Sequence, residues 1–209
     1  MSKRIDTMHL KPKSKICIFV SSTFTDTDKE RSLLHEEILP QLQSRAREEG
    51  IMVLFYDMRF GIKASSSKNH SIWSTCQEAI SECFEQSDEL YFISLQGEKY
   101  GYRPLPKFVD QTVFEAAMQR CETESVKSLA LNWYLLNENY SPALYEIKDL
   151  APDNQQVYWD EVLPSLREQF FGSVSFDAAY PSFLIGHSIT EWETVFANEL
   201  SEREGRKHS

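Results

Sequence analysis

K-I-C-I-F-V-S-S, from Lys15 to Ser22, is a short apolar run rich in β-forming residues, and it ends in small polar residues. A continuous apolar run of this length predicts a strand that is buried on both faces. Strands of this kind are typical of parallel sheets that are covered by helices on both sides. The segment therefore predicts an α/β fold with this strand inside its sheet.

Helical and strand patterns alternate on the C-terminal side of this segment. Residues 26–49 have helical periodicity, with Thr27 and Glu30 at capping-box spacing and Gly50 after the last turn. Pro40 is expected to kink or split this helix because it lacks a backbone N–H. Further strands are predicted at 51–56, 89–95 and 143–147, and further helices at 71–86, 111–120, 125–136, 158–171 and 190–202.

This alternation predicts βαβ units and a parallel sheet. With right-handed crossovers, we expect four or five strands in the order 2-1-3-4, as in flavodoxin-like sheets. The strand pattern fades after residue 150. We therefore predict a flexible basic arm at residues 1–14, an α/β domain at 15–150, and a helical extension packed on it at 151–209.

The charge of the chain is concentrated in its second half. The 209 residues carry 22 basic and 32 acidic side chains, a net charge of −10, and 41% of them are hydrophobic. This composition excludes a disordered chain, and the net acidity argues against a nucleic-acid-binding protein. Residues 1–110 have a net charge of −1, whereas residues 111–209 have a net charge of −9. The acidic half is therefore expected to face solvent or a basic partner.

The cysteines and the apolar runs indicate the cellular compartment in which the protein is expected. Cys17, Cys76, Cys83 and Cys121 occur in apolar or helical contexts without a C-x-x-C pair, which is typical of reduced, buried thiols. No apolar run is long enough for a membrane span. The histidines are scattered and no G-x-S-x-G occurs, so neither a metal site nor an α/β-hydrolase site is predicted. We predict a cytoplasmic protein.

Polar segments follow the first three predicted strands, at the sheet edge where ligands bind in open parallel sheets. Such an edge suits a small ligand with an anionic or nucleotide part, and it equally suits a protein partner. Each segment also has a structural alternative: turn and cap chemistry for Ser21 to Thr23, a salt bridge for Asp57 and Arg59, and loop packing for the tyrosines of the third segment. The chain contains no Walker A and no G-x-G-x-x-G motif, so no phosphate-binding loop is predicted. The candidate ligand-binding residues are Ser21, Ser22, Thr23, Phe24, Asp57, Arg59, Gly97, Lys99, Tyr100 and Arg103.

Five motifs occur in order along nearly the whole chain. They are V-S-S-T-F-T-D-T-D-K-E-R (20–31), D-M-R-F-G-I (57–62), L-Q-G-E-K-Y-G-Y-R-P-L-P (95–106), W-Y-L-L-N-E-N-Y-S-P-A-L-Y (133–145) and S-I-T-E-W-E (188–193). Together they resemble the TIR-like domain at the N-terminus of NACHT and WD-repeat proteins, a group related to the telomerase protein component with a NACHT domain. Phe60 stands where that family usually has tryptophan.

The resemblance implies a TIR-like module that lies ahead of a NACHT ATPase and a WD-repeat propeller. Such a module would act in intracellular signalling or scaffolding through other proteins or through self-association. The chain stops before any Walker A motif, so we expect a fragment, a short isoform or a stand-alone relative.

The resemblance also implies an enzymatic alternative, because some TIR-like domains cleave NAD with a helix glutamate. The matching position is Glu115, in V-D-Q-T-V-F-E-A-A-M, where a carboxylate would hold the ribose hydroxyls and stabilise an oxocarbenium-like state. Glu115 shares a polar helix face with Gln111 and Gln119, so it also fits a solvated surface residue. The other alternative is a sensor that binds a nucleotide-derived ligand without turnover. No cofactor is required by the main hypothesis, whereas NAD or another nucleotide is the ligand of the alternatives.

Overall fold

The computed structural model describes residues 14–23, 26–58, 70–172, 186–203 and 205. The strands are β1 Lys15–Ser22, β2 Met52–Asp57, β3 Phe92–Leu95, β4 Phe108–Asp110, β5 Tyr134–Asn137 and β6 Leu144–Ile147. Four helices are α2 Ile72–Gln86, α3 Gln111–Arg120, α4 Glu124–Trp133 and α6 Ile189–Arg203. Two further helices contain π-helical turns. Helix α1 consists of Asp28–Leu33, the π-helical turn Leu34–Ile38, and Leu39–Glu48. Helix α5 consists of Gln155–Val157, the π-helical turn Tyr158–Val162, Leu163–Ser165, and the π-helical turn Leu166–Phe170.

The first three strands form a parallel sheet in the order β2-β1-β3. The predicted buried strand is its central strand, and residues 17–22 of β1 are buried. Val20 lies opposite Asp57 on β2, and Ser22 lies opposite Leu95 on β3. The register therefore brings the carboxyl ends of all three strands to one edge of the sheet.

Helix α1 begins and ends close to the predicted positions. Gly50 adopts a φ of +71° after the last turn, where Ile51 N–H donates to Ala46 O over 2.9 Å and closes the helix. Pro40 does not split the helix: the π-helical turn ends just before it and the backbone stays helical through residue 48. The Thr27 hydroxyl makes no cap bond to the helix N-terminus and lies instead 2.8 Å from Ser22 Oγ and from Thr23 O.

The predicted order 2-1-3-4 is not confirmed beyond its first three strands. The fourth predicted strand exists as β6, but it pairs antiparallel with β4 and β5 in a second sheet of order β4-β6-β5. The predicted helix at 125–136 ends at Trp133, and residues 134–137 form β5. Strands β5 and β6 are joined by a short connection, which suits an antiparallel hairpin, whereas parallel strands need a long crossover.

Each sheet has its own apolar core. The parallel sheet packs with α2 and α6 around side chains such as Phe19, Ile80 and Phe84. The antiparallel sheet packs with α3, α4 and α5 around side chains such as Phe114, Tyr134 and Phe170. The predicted boundary at residue 150 stays a prediction, although α5 shares the second core with residues on the N-terminal side of that boundary. Among the helices that the structure describes, none has the length and apolar character needed to cross a lipid bilayer.

The four cysteines are buried as free thiols. Cys17 on β1 and Cys83 on α2 lie with their Sγ atoms 3.1 Å apart. Burial raises the pKa of the Cys76 and Cys83 thiols well above the usual range, so both stay protonated at neutral pH.

Candidate functional site

A buried polar cluster lies at the carboxyl ends of β1 and β2, and Arg31 of α1 is at its centre. Only 2% of the Arg31 side chain is exposed, and its Nη1 forms an ion pair with Oδ1 of Asp57. Its Nη2 donates to the Ser22 carbonyl over 3.0 Å, and its Nε donates to the Ser22 hydroxyl. On the other side, His35 Nε2 lies 3.1 Å from Asp57 Oδ2. One guanidinium thus joins the ends of two neighbouring strands.

Glu193 of α6 reaches the same cluster from the far end of the chain. The Ser21 hydroxyl donates to Glu193 Oε2 over 2.5 Å, and the Glu193 side chain is buried. Burial raises the pKa of Glu193 to about 7, although hydrogen bonds from Ser21 and Cys76 and the charge of Arg31 oppose that rise. The cluster therefore contains a carboxyl group that titrates near neutral pH.

The loop after β3 joins the same edge through Asp26. The Thr23 hydroxyl donates to Asp26 Oδ1, and the Lys99 backbone N–H donates to Asp26 Oδ2 over 2.7 Å. A Cβ atom on Gly97 would lie 2.3 Å from Asp26 Oδ2. A side chain at position 97 would therefore displace the Asp26 carboxylate from its present position.

Gly97→Ala should lower the free energy of unfolding by about 1–3 kcal/mol, since the new methyl group would push Asp26 away from the Lys99 N–H. Urea unfolding measures this change. The control is the same substitution in an Asp26→Ala background, where the obstructing carboxylate is absent and the further loss should be close to zero. An equal loss in both backgrounds would contradict the contact as its cause.

The start of α6 covers the outer side of this loop. Gly101 has a φ of +97°, and a Cβ there would lie 3.2 Å from both Thr23 Cγ2 and Thr190 Oγ1. Ile189 N–H donates to the Tyr102 carbonyl over 3.0 Å. On the surface, the Tyr100 hydroxyl donates to Glu191. Loop and helix thus close over the strand ends.

The structure brings most of the predicted ligand-binding residues together. Ser21, Ser22 and Asp57 belong to the buried cluster, and Thr23, Gly97 and Lys99 meet around Asp26. Tyr100 is exposed at the rim, and Arg103 lies within electrostatic range of it. The predictions for Phe24 and Arg59 lie outside the described residues.

Glu115 lies elsewhere, on α3. Its carboxylate is exposed and accepts a 2.8 Å hydrogen bond from Gln111 Nε2. The buried residues of that helix, Phe114 and Ala117, belong to the core of the antiparallel sheet. The helix thus packs with β4, β6 and α5.

Sequence reasoning missed the two residues that hold the cluster together, Arg31 and Glu193. Arg31 ends the motif V-S-S-T-F-T-D-T-D-K-E-R, and Glu193 ends the motif S-I-T-E-W-E. Their membership of these motifs was the one feature of the sequence that could have identified them as candidates. Charged residues on helices usually face solvent, so neither residue is expected to be buried from its local pattern.

The geometry favours a structural role for this edge of the sheet. Its polar groups bond to one another, and the residues at its centre are almost completely buried. Within the described ranges, no group of three or more His, Cys, Asp or Glu side chains is arranged to hold a metal ion.

Comparisons with known proteins show which proteins this chain is similar to. It is 29% identical over 183 residues to NACHT and WD repeat domain-containing protein 2 of Mus musculus, an alignment covering 79% of this chain and 10% of that protein. It is 28% identical over 179 residues to NACHT domain- and WD repeat-containing protein 1 of Mus musculus, covering 79% of this chain and 11% of the relative. Telomerase protein component 1 of Rattus norvegicus is 34% identical over 89 residues, covering 43% of this chain and 3% of that protein.

The chain thus spans about a tenth of the length of its NACHT and WD repeat relatives. No solved structure matches it, and the likeness to TIR domains stays a prediction. One family model, described as a domain of unknown function (DUF4062), matches residues 17–178. That match covers helices α1 to α5 and both sheets apart from the first two residues of β1, and the chain therefore belongs to the DUF4062 family.

Proposed function

We propose that this domain is a protein-interaction module of intracellular signalling or scaffolding proteins. In a longer protein it would lie N-terminal to a NACHT ATPase and WD repeats, the two modules named in its relatives, and would contact them, other proteins or a second copy. The described part of the parallel sheet's carboxyl edge carries this proposal. At that edge Arg31 and Asp57 form a buried ion pair, and Glu193 accepts a hydrogen bond from Ser21, so these polar groups are occupied by contacts within the domain.

The outer surface of the domain supports the same function. Exposed large apolar side chains occur on α1, at Leu33 and Leu42, and beside the second sheet, at Leu135 and Tyr140. Apolar side chains on two separate surfaces favour contacts with other proteins, because water solvates them poorly. The acidic second half adds charge that would select basic partners.

Surface plasmon resonance tests the proposal with the immobilised chain. The analytes are the chain itself and the NACHT and WD-repeat segments of mouse NACHT and WD repeat domain-containing protein 2. We expect saturable binding in the micromolar range for at least one of them, typical of small transient interfaces. Absence of binding by all analytes up to about 100 µM would contradict the proposal.

NAD cleavage is the alternative activity, and we expect the purified, concentrated chain to release no nicotinamide from NAD above a buffer control. The reason is that Glu115 is exposed and lies on a helix of the second core, whereas Ser21 and Asp57 end the parallel sheet. Glu115→Ala should leave both this result and the surface plasmon resonance signal unchanged. Nicotinamide release that Glu115→Ala abolishes would instead establish the NAD-cleaving enzyme.

A nucleotide sensor would show a different signal. Thermal unfolding in the presence of NAD or ATP should give an unchanged midpoint if the strand edge is filled. A midpoint that rises with nucleotide concentration would favour the sensor, because only a ligand of the folded state stabilises it by mass action.

A further inference from the structure

Strand β5 forms one edge of the antiparallel sheet. In the described part of the chain, it pairs only with β6. Lys148 N–H donates to Trp133 O over 2.9 Å, and on the other side of β6, Ile147 N–H donates to Lys107 O over 3.0 Å. Because backbone groups alternate in direction along an antiparallel ladder, the N–H and C=O of Leu136 point away from β6. The strand therefore presents backbone hydrogen-bonding groups at its outer edge.

The side chains along this edge are apolar and exposed. Leu135 is 54% exposed and Leu136 is 40% exposed, although both belong to a strand whose first residue, Tyr134, is buried. Leu135 lies opposite Glu146 on the outer face of the sheet, whereas Leu136 lies opposite Tyr145 on the face that packs on Phe114. An exposed edge strand with apolar side chains is a template for pairing with another strand.

The groove beside β5 and β6 has a volume of about 630 Å³ and an acidic lining. Its charged residues are Glu138, Glu146 and Asp149 against Lys148. Glu146 accepts a 2.8 Å hydrogen bond from Asn137 and lies 3.9 Å from Lys107, while Glu138 and Asp149 are exposed. The groove thus combines an open strand edge, apolar side chains and excess negative charge.

We propose that β5 is a docking edge for an extended segment of a partner protein in which basic and apolar residues alternate. The partner would add a strand beside β5 and bond to the backbone of Leu136. Its apolar side chains would lie against Leu136, and its basic side chains would lie on the opposite face, which carries Leu135 and Glu146 of the acidic groove. This inference rests on the proposed function and specifies its surface and its partner.

The charge of the groove distinguishes this partner from a second copy of the chain. Pairing with the β5 edge of a second copy would bring a second acidic groove next to the first. Two grooves of like charge repel each other, whereas a basic segment is attracted to the groove. The lining therefore favours a basic partner over self-pairing at this edge.

The test uses the full chain and a short fluorescent peptide that alternates lysine with valine. Fluorescence anisotropy should show saturable binding that weakens as salt is added, since surface charge pairs are screened. The peptide that alternates glutamate with valine should bind at least tenfold more weakly. A lysine–valine peptide N-methylated at alternate amides should also lose binding, because it lacks the hydrogen-bond donors of a strand.

Two variants locate the binding surface. Leu135→Lys should weaken binding at least tenfold, because it places a positive charge on the face that the basic side chains approach. Leu135 is exposed, so the substitution should leave the thermal midpoint of the protein unchanged. The matched control is Leu33→Lys, since Leu33 is 47% exposed but lies on α1. This control should bind the peptide as the wild type does.

Amide hydrogen exchange gives a readout at single residues. Peptide binding should slow exchange of the Leu136 N–H, which points to the open edge, by at least tenfold. The Leu135 N–H points toward β6 and should keep its rate. Peptide binding by Leu135→Lys that equals that of the wild type, or an unchanged exchange rate of the Leu136 N–H at saturation, would overturn the inference.

The outcomes separate this inference from the proposed function. Failure of the peptide together with surface plasmon resonance binding that persists in Leu135→Lys would reject β5 as the docking edge and leave the interaction module standing. Failure of every analyte in both assays would reject the module itself. Pairing of two copies through β5 would appear as self-association that slows exchange of the Leu136 N–H without peptide binding, and it would also overturn the inference.

Discussion

Replacing Arg31 with methionine should lower the free energy of unfolding by about 3–5 kcal/mol, because it leaves the buried Asp57 carboxylate without its cation. Both side chains are almost fully buried, with 2% and 1% of their surfaces exposed, so water does not replace the lost partner. The substitution also removes the hydrogen bonds from the guanidinium to Ser22, which adds to the loss. Urea unfolding at neutral pH measures the change.

Two controls identify the cause of this loss. Arg31→Met combined with Asp57→Leu removes both charges and should recover much of the stability, since replacing a whole buried pair by apolar residues is often neutral. Arg203→Met breaks the exposed pair with Glu199 on α6 and should cost less than about 0.5 kcal/mol. A loss of less than about 1 kcal/mol in Arg31→Met would show that the pair does not hold the strand ends together.

The second large effect is a dependence of stability on pH that comes from Glu193. Burial raises the pKa of this carboxyl from 4.5 to about 7, so the folded state binds its proton more tightly than the unfolded state. Its contribution to stability is therefore fully present below about pH 4.5 and is lost as the pH rises through about 7. The shift corresponds to about 3 kcal/mol between these limits.

Glu193→Gln isolates this contribution, because glutamine has nearly the same shape and does not titrate. Urea unfolding from pH 4.5 to 8 should show the stability of the wild type falling by about 3 kcal/mol relative to the variant. Asp57 and the surface carboxylates are present in both proteins, so their own contributions largely cancel. Glu199→Gln, at an exposed position on the same helix, should follow the wild type. Parallel profiles for wild type and Glu193→Gln would contradict the buried titration.

The local sequence pattern was sufficient to predict the first strand, the end of α1 and the order of the first three strands. The run from Lys15 to Ser22 is apolar on both faces, and it forms the central strand in agreement with the prediction. Gly50 ends α1 as predicted, because a positive φ is accessible to glycine at little cost. The first three strands have the predicted order, since right-handed crossovers leave few other arrangements.

The pairing of the later strands depends on contacts that the local pattern does not contain. Residues 125–136 keep a helical pattern, yet the chain leaves the helix at Tyr134 because β5 then pairs with β6 and buries Tyr134 beside Ile147. Strand β6 was predicted at its observed position, but its partner and direction follow from the hairpin with β5. Whether a segment forms a strand thus depends partly on the strand with which it pairs.

The same division holds for the site. Ser21, Ser22 and Asp57 could be predicted because every parallel strand ends at the same edge of the sheet. Whether that edge is open to a ligand was decided by the tertiary structure, in which Arg31 turns inward from α1 and Glu193 reaches Ser21 across 172 residues of sequence.

By itself, the sequence determined the central strand, the parallel start of the fold and the family of this chain, because apolar runs and ordered motifs are local properties. Only the tertiary structure decided that β4, β5 and β6 form a separate antiparallel sheet and that the described polar groups at the strand edge bond to one another. The physical reason is that a charged side chain can be buried only where a partner compensates for its lost hydration. That partner is distant in the sequence, so the local pattern around the charged residue does not reveal it.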